Sequence, residues 1–181
     1  MTDLRTTAFE TKRLLLRPFQ AHDAAAVQAL CGDPAVARMT SRIPSPLPDG
    51  HVGRWIAGHD ALRAANREWP FCITLDGQPI GAIALRRTDG GSLRLGYWLG
   101  AAYWNRGYAT EAAQAINAHG LDDLQAETVC AGAYIDNSAS AHVLEKCGFR
   151  YTHTDSQWCE ARGQAVPCRR YILDKNARRA R

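Results

Sequence analysis

Residues 97–112 read YWLGAAYWNRGYATEA, the most informative segment of the sequence. It begins as an apolar strand, passes through a turn that contains Gly107, and continues with the period of a helix. A helix that starts here leaves backbone N–H groups without partners, and Gly107 has no Cβ to keep a phosphate away. The segment therefore predicts a pyrophosphate site. The alternative is an ordinary helix start, because one glycine is a weaker signal than a GxGxxG or Walker loop, and neither pattern occurs.

The predicted anion site combines backbone donors with two side chains. Arg106 adds a fixed positive charge beside the turn, and Thr110 adds a hydroxyl. The residues whose N–H groups would point at the anion are Asn105, Arg106, Gly107, Tyr108, Ala109 and Thr110.

A second informative segment, residues 136–149, reads DNSASAHVLEKCGF. Asn137 stands where it either caps a helix or hydrogen-bonds outward from a strand end. Ser140 falls in the first turn of the following helix, where most serines bond only the backbone. Gly148 is expected to close that helix in the left-handed conformation. Both polar residues thus have a structural and a functional interpretation at this point.

The rest of the chain predicts an α+β fold with a mixed, mostly antiparallel sheet flanked by helices. Asp76 and Gly77 suit a type I′ hairpin turn, and three prolines make residues 41–50 an extended loop. Strands are predicted over residues 11–17, 71–75, 80–85, 92–99, 128–134, 150–155 and 167–173, and helices over 24–30, 51–66, 110–119 and 139–147.

Composition bounds the function classes. The 181 residues suit one domain spanning 1–181, with 46% hydrophobic and 22% charged residues. The net charge is +4, but residues 169–181 hold six basic residues against one acid, so the first 168 residues carry −1. A basic C-terminal tail from about residue 174 is therefore expected, and neither nucleic acid nor an anionic membrane is an expected partner. Neither a spanning apolar stretch nor a signal-peptide pattern occurs, which favours the cytoplasm.

The cysteines predict no metal site. Six are scattered along the chain with no CxxC pair and no Cys/His cluster at zinc spacing. We expect all six to be reduced, in agreement with a cytoplasmic location.

Four segments together resemble the GNAT superfamily of acyl-CoA-dependent N-acetyltransferases, and in particular the branch of the Rim-type ribosomal-protein N-terminal acetyltransferases. The resemblance spans roughly residues 8–175. The segments are ETKRLLLRPFQAHD at 10–23, LGYWL at 95–99, YWNRGYATEA at 103–112 and NSASAHVLEKCGF at 137–149.

The resemblance implies acetyl-CoA as cosubstrate, no metal, and a sheet that splays where the cofactor enters. By position, Asn105 to Thr110 would bind the CoA pyrophosphate, and the backbone of Trp98 and Leu99 would pair with the pantetheine arm. Asn137 would contact the pantetheine portion. Ser140 would lie near the CoA sulfur and act as a general acid toward the departing thiolate.

The sequence departs from the family pattern in the residue expected to accept the amine's proton. Arg94 stands where many relatives have a glutamate. Two other positions also differ from the family pattern: Trp104 replaces a frequent Gln or Arg, as is common in the Rim-type branch, and His142 replaces a usual arginine. The remaining candidate bases are Glu111, which better suits a first-turn carboxylate, His119, which suits a helix C-terminal charge, and His153 and Asp155, whose strand register is not fixed. A water chain would also serve, since amine attack on a thioester chiefly needs proximity and an oxyanion donor.

The leading hypothesis is an N-acetyltransferase that moves acetyl from acetyl-CoA to a primary amine by direct attack in a ternary complex. The alternative is a non-catalytic acyl-CoA-binding sensor on the same fold, and a nucleic-acid-binding protein is disfavoured by the charge of the body. The acceptor, either a protein N-terminus or a small amine such as an aminoglycoside, would be selected by residues 35–66 and 156–167. A homodimer, the commonest closed assembly, stays open.

Overall fold

The computed structural model describes residues 8–175, which build one eight-stranded sheet with helices on both faces. The strand order is β1-β2-β3-β4-β5-β6-β8-β7, and every neighbouring pair is antiparallel except β5 and β6. The strands are β1 (Phe9–Glu10), β2 (Leu14–Arg17), β3 (Glu68–Leu75), β4 (Gln78–Arg87), β5 (Leu93–Leu99), β6 (Thr128–Tyr134), β7 (Arg150–Cys159) and β8 (Gln164–Asp174).

Six α-helices flank the sheet in the described part of the chain. On one face α5 packs on β4 and β5, and α6 packs on β6, while on the other face α1 packs on β4 and α4 on β3. Three short 3₁₀ turns lie at Ala21–Asp23, Ala101–Tyr103 and Glu160–Arg162. The helices are α1 (Ala24–Cys31), α2 (Pro34–Ala37), α3 (His51–Ala57), α4 (His59–Ala64), α5 (Tyr108–Asp122) and α6 (Ser138–Lys146).

The alternation along β5 divides its side chains between two hydrophobic clusters. Leu95 and Leu99 join the main core with Ala112, Ala113 and Ile116 of α5. Trp98 points the other way and packs with residues of α1 and α3, including Val27 and Val52. Successive strand residues face opposite sides of a sheet, so β5 presents one row to the α5 side and another to the α1 side.

The sheet opens between β5 and β6. These two strands pair only at Leu93 with Val129 and at Arg94 with Cys130. Beyond Arg94 the two strands share no paired residues, while β5 continues to pair with β4 as far as Leu99. The splayed sheet that the family resemblance implied is therefore confirmed, and the opening leaves one edge of β5 free over its last residues.

Most elements lie where the sequence predicts them, with one helix predicted wrongly. The Asp76-Gly77 turn has φ values of 48° and 78°, as a type I′ turn requires. The single helix predicted over residues 51–66 is instead two, α3 and α4, because Gly58 ends the first and caps the second. The strand β1 and the short helix α2 were not predicted, and β3 and β7 are longer than expected.

Two further expectations concern membranes and the C-terminal tail. Within residues 8–175 no helix is long and apolar enough to span a bilayer. Lys175 is the last described residue of the predicted basic tail, so residues 176–181 lie outside the described part of the chain.

Candidate active site

A cleft of about 750 Å³ runs through the opening between β5 and β6. It extends from the turn before α5, past the first turn of α6, to the loop of residues 41–50 on the opposite face of the sheet. Nine of the ten residues proposed from the sequence line it: Trp98, Leu99, Asn105, Gly107, Tyr108, Ala109, Thr110, Asn137 and Ser140.

The turn before α5 is shaped for close approach of a ligand. Gly107 caps the helix with φ 79°, a left-handed conformation that glycine adopts without strain, and Asn105 also has a positive φ of 59°. The helix begins at Tyr108, two residues earlier than predicted, and its first internal bond runs from Glu111 N–H to the Gly107 carbonyl. The preceding N–H groups, from Gly107 to Thr110, therefore have no acceptor within the helix.

A cation that the sequence did not reveal lies against this turn. The guanidinium of Arg13 donates through Nη1 to the Arg106 carbonyl at 2.9 Å and lies 4.5 Å from the centre of the Tyr108 ring. Arg13 and Arg106 are both exposed, and neither lines the cleft. A second positive charge therefore lies beside the Gly107 turn, supplied from the start of β2, almost a hundred residues away in sequence.

Glu111 holds Arg13 in place. Its carboxylate accepts hydrogen bonds from Arg13 Nε at 2.8 Å, from the Arg13 backbone N–H at 2.7 Å and from the Thr11 hydroxyl at 2.6 Å. Burial alone would raise the pKa of Glu111, but these hydrogen bonds lower it overall. The carboxylate is committed to structure, as the first-turn interpretation of Glu111 predicts, and is not a free base.

The first turn of α6 forms the opposite wall of the cleft. Asn137 caps the helix, since its Oδ1 accepts from the Ser140 N–H at 3.1 Å. Ser140 Oγ lies 2.8 Å from the hydroxyl oxygen of Tyr97 on β5, and the Tyr97 hydroxyl also donates to the Ser140 carbonyl at 3.3 Å. The structure therefore joins a serine proposed from the sequence to a tyrosine that the sequence analysis passed over.

Burial keeps the Tyr97 hydroxyl protonated. Desolvation raises the pKa of Tyr97 well above its ordinary value, and the hydrogen bond from Ser140 offsets only part of this effect. Tyr97 and Ser140 thus form a neutral pair of hydroxyls in the opening between β5 and β6.

Trp104 has a structural role in the turn. Its indole Nε1 donates to the Leu99 carbonyl at 2.8 Å, which pins residues 100–104 against the end of β5. One lone pair of that carbonyl is therefore taken, so Leu99 would offer a strand-like ligand its remaining acceptor capacity.

The other candidate bases lie apart from Tyr97 and Ser140. His119 is buried against Phe9 and Asp123, and neither it nor His153 lines the cleft. Asp155 also lies outside the lining and accepts from Arg170 at 2.7 Å. His142, which replaces a usual arginine of the family, lines the cleft from α6.

The cysteine thiols are free, and burial keeps those in the cleft protonated. All six cysteines are free, as predicted. Cys31 and Cys168 line the cleft, and burial raises the pKa of both, that of Cys31 to about 11, so neither is a thiolate nucleophile near neutral pH. Among residues 8–175 no group of three or more His, Cys, Asp or Glu side chains could hold a metal ion.

The two segments expected to select the acceptor meet at the far mouth of the cleft. The Glu160 N–H donates to the Ser41 carbonyl at 3.1 Å, and Arg162 Nε donates to the Arg38 carbonyl at 2.8 Å. The turn between β7 and β8 thus closes onto the loop that follows α2.

Comparison with known proteins decides the family. The profile of the Acetyltransferase (GNAT) domain matches residues 13–150. The chain belongs to the GNAT acetyltransferase family. It is therefore an acetyl-CoA-dependent acyltransferase, and the match covers β2 through the start of β7, including both walls of the cleft.

Individual relatives agree with this assignment. The chain is 28% identical over 148 residues to the uncharacterized N-acetyltransferase YnaD of Bacillus subtilis, covering 77% of this chain and 81% of YnaD. Two solved structures share the fold. Mycobacterium smegmatis RimJ in complex with CoA-disulfide has 23% identity and a TM-score of 0.80, over 93% of this chain and 86% of RimJ. The ribosomal-protein-S5-alanine acetyltransferase of Vibrio fischeri has 16% identity and a TM-score of 0.81, over 94% and 97%.

Proposed function

We propose that this GNAT acetyltransferase moves the acetyl group of acetyl-CoA to a primary amine, by direct attack within a ternary complex. The observation that carries the proposal is the continuous cleft through the β5–β6 opening, with the Gly107 turn on one side of the sheet and the loop of residues 41–50 on the other. Such a cleft lets a cosubstrate and an acceptor approach the same point from opposite faces.

The residues at the cofactor side fit acetyl-CoA. The unpaired N–H groups from Gly107 to Thr110 would bind the pyrophosphate, with Arg13 as the neighbouring cation. The free edge of β5 at Trp98 and Leu99 would pair with the amide groups of the pantetheine arm, as an added strand would. Asn137 lines the same path and caps α6.

Ser140 would assist departure of the thiolate. When the amine attacks the thioester carbonyl, the C–S bond breaks and the sulfur takes the electron pair. Ser140 Oγ would donate a hydrogen bond or a proton to that sulfur, the neighbouring Tyr97 hydroxyl, 2.8 Å away, would orient the serine hydroxyl, and solvent would return the proton. Both cysteines that line the cleft are protonated thiols, which favours direct transfer over an acetyl-cysteine intermediate.

We further propose that the acceptor enters as a neutral amine and gives up its proton to solvent. The carboxylates that line the described cleft are both engaged: Glu68 accepts from Arg42 at 3.1 Å and Asp136 from Arg162 at 2.8 Å. Arg94 on β5 supplies a positive charge, which disfavours a protonated amine nearby.

An acceptor screen tests this function. Purified protein and acetyl-CoA are incubated with peptides bearing free N-termini, with polyamines and with aminoglycosides, while released thiol and acetylated product are measured. Peptide N-termini come first in the screen, because the structural relatives include a ribosomal L7/L12 α-N-protein acetyltransferase and a ribosomal-protein-S5-alanine acetyltransferase. Tight binding of acetyl-CoA with no acetylated amine in any class would instead support the acyl-CoA sensor.

A further inference from the structure

Two arginines lie side by side on the face of the sheet that is covered by α1 and the loop of residues 41–50. We call this the acceptor face. Arg86 on β4 and Arg94 on β5 are direct cross-strand partners. By alternation Arg94 shares its face with Trp98, which packs against α1 and α3, and both arginines line the cleft. This is the side opposite α5, α6 and the pair Tyr97–Ser140.

The protein neutralises these two guanidinium groups only in part. Like charges directly opposite each other on a sheet are destabilising. Within residues 8–175 neither Arg86 nor Arg94 has a carboxylate within ion-pair distance. Glu68, the cross-strand neighbour of Arg86, attracts it at longer range, but its carboxylate is bound by Arg42 at 3.1 Å. The nearby Arg170 differs, since Asp155 and Gln157 each bind it at 2.7 Å.

Open space lies next to the unpaired arginines. Two residues beyond the last β5–β6 pair, both strands carry a glycine, Gly96 on β5 and Gly132 on β6. A Cβ at Gly96 would meet nothing within 4 Å, whereas one at Gly132 would lie 2.8 Å from Arg170 Nη1. The acceptor face of the sheet is therefore uncovered at Gly96, and arginine side chains border this open area.

The distances suit one ligand that reaches from the two arginines to the thioester beside Tyr97 and Ser140. Strand residues rise about 3.3 Å each, which puts the Cα of Arg94 about 10 Å from that of Tyr97. An arginine side chain covers part of that separation. An anion bound by Arg94 would then lie one or two residues along a peptide from an N-terminus at the thioester, or at the far end of a short amine.

We infer that the acceptor is an anion-bearing amine, whose carboxylate or phosphate is bound by Arg86 and Arg94 while its amino group faces the thioester. The inference rests on the proposed amine acetylation and names the class of substrate. Guanidinium groups bind both anions in bidentate fashion, so the shared chemistry is the anion and its spacing from the amine.

Charge-matched acceptor pairs test the inference. The peptide amide Ala-Glu-Phe is compared with Ala-Gln-Phe, and phosphoethanolamine with ethanolamine, which separates a peptide carboxylate from a small phosphate. In at least one pair the anionic member is expected to have a kcat/KM at least tenfold higher. That preference should shrink as salt rises, because the pairing is electrostatic.

Two variants and one control locate the effect. Arg94→Gln and Arg86→Gln should each reduce the preference to about threefold or less while leaving the Kd for acetyl-CoA unchanged. Arg87→Gln removes the same charge one residue away, where the side chain lies over the Trp69 ring, and should keep the preference. Using both cleft variants keeps the test decisive if one of them fails to fold.

Three results overturn the inference. Neutral members that react as well as anionic ones in both pairs would leave amine acetylation intact and remove only the anion. A preference that survives in both cleft variants would place the anion elsewhere. If no amine is acetylated at all, the proposed function fails first, and the inference fails with it.

Discussion

The hydroxyl oxygen of Tyr97 on β5 lies 2.8 Å from Oγ of Ser140 on α6. This hydrogen bond joins the two walls of the cleft three residues beyond Arg94, the last residue of β5 that pairs with β6. A hydroxyl pair at that point supplies a proton donor and a neighbour that orients it, without a charged group in a partly buried site. The strand edge and the helix start thus act together in the proposed thiolate departure.

Ser140→Ala should slow chemistry more than it weakens cofactor binding. General-acid assistance is worth roughly 10²- to 10⁴-fold, so kcat should fall within that range while the KM for acetyl-CoA stays nearly unchanged. Loss of one hydrogen bond to Tyr97 should cost about 1 kcal/mol of unfolding free energy. Steady-state kinetics and thermal melting measure the two effects.

Ser138→Ala is the matched control, since Ser138 is in the same first turn and has no bond to Tyr97 in the described structure. It should leave kcat within about twofold, whereas Tyr97→Phe should lower it because the Ser140 hydroxyl loses the group that orients it. Intact turnover in Ser140→Ala together with a lower melting temperature would make Ser140 a structural residue only.

Gly107→Val should weaken acetyl-CoA binding. A branched side chain at φ 79° is strained, and it would intrude on the N–H groups that are proposed to hold the pyrophosphate. Calorimetry should show at least a tenfold higher Kd, equivalent to about 1.4 kcal/mol. Gly163→Val places the same residue at φ 60° in the β7–β8 turn, where a Cβ meets nothing within 4 Å. An unchanged Kd in Gly107→Val would remove this turn from the cofactor site.

The pH dependence of kcat/KM should reflect the pKa of the acceptor amine and not that of a group on the enzyme. With no free carboxylate at the reacting centre, the rate should rise tenfold per pH unit until the acceptor amine is deprotonated. An acceptor with an α-amine, of pKa about 8, and one with a lysine-type amine, of pKa about 10.4, should therefore give inflections at different pH values. One inflection shared by both acceptors would reveal a base on the protein.

His59 should make folding stability depend on pH. It is buried edge-on against Trp55, and neither ring nitrogen has a partner among the described residues. Burial, followed by the charge of Arg63, lowers the pKa of His59 to about 4. Between about pH 4 and 6.5 the unfolded chain then binds more protons, so the unfolding free energy falls as pH falls through this window.

Urea unfolding at pH 7 and 4.5 measures this effect. His59→Leu should lose less stability than the wild type over that interval, by about 2 to 3 kcal/mol. The matched control is His142→Gln, which removes an exposed histidine of α6 that forms no ion pair within the described residues and should keep the wild-type slope. Equal slopes for wild type and His59→Leu would show that His59 is not held neutral.

The sequence predicted the parts of the site that depend on local pattern. The turn at Gly107 and the helix start at Asn137 each combine a strand, a cap residue and a change of period within a short window. Arg13 could not be found in this way, because its contact with Glu111 depends on how β2 approaches α5 in three dimensions. Tyr97 was hidden for the same reason, since alternation fixes its face but not its partner on α6.

The errors in secondary structure also have local causes. The apolar stripe of residues 51–66 continues in register across Gly58, so periodicity alone extends one helix through the break between α3 and α4. The strand predicted over residues 71–75 begins at Glu68, and Pro70 lies within it opposite Ala84, where β2 does not pair with β3. The insertion of β8 between β6 and β7 is a long-range pairing that no short window encodes.

Direct transfer is tested by a single turnover with the protein in excess over acetyl-CoA and at saturating acceptor. Mass spectrometry of both the amine and the intact protein follows the acetyl group. Direct transfer predicts one acetylated amine for each CoA released, no release without the amine, and a protein of unchanged mass. Acetyl bound to the protein during turnover, or CoA released without an acetylated amine, would contradict it.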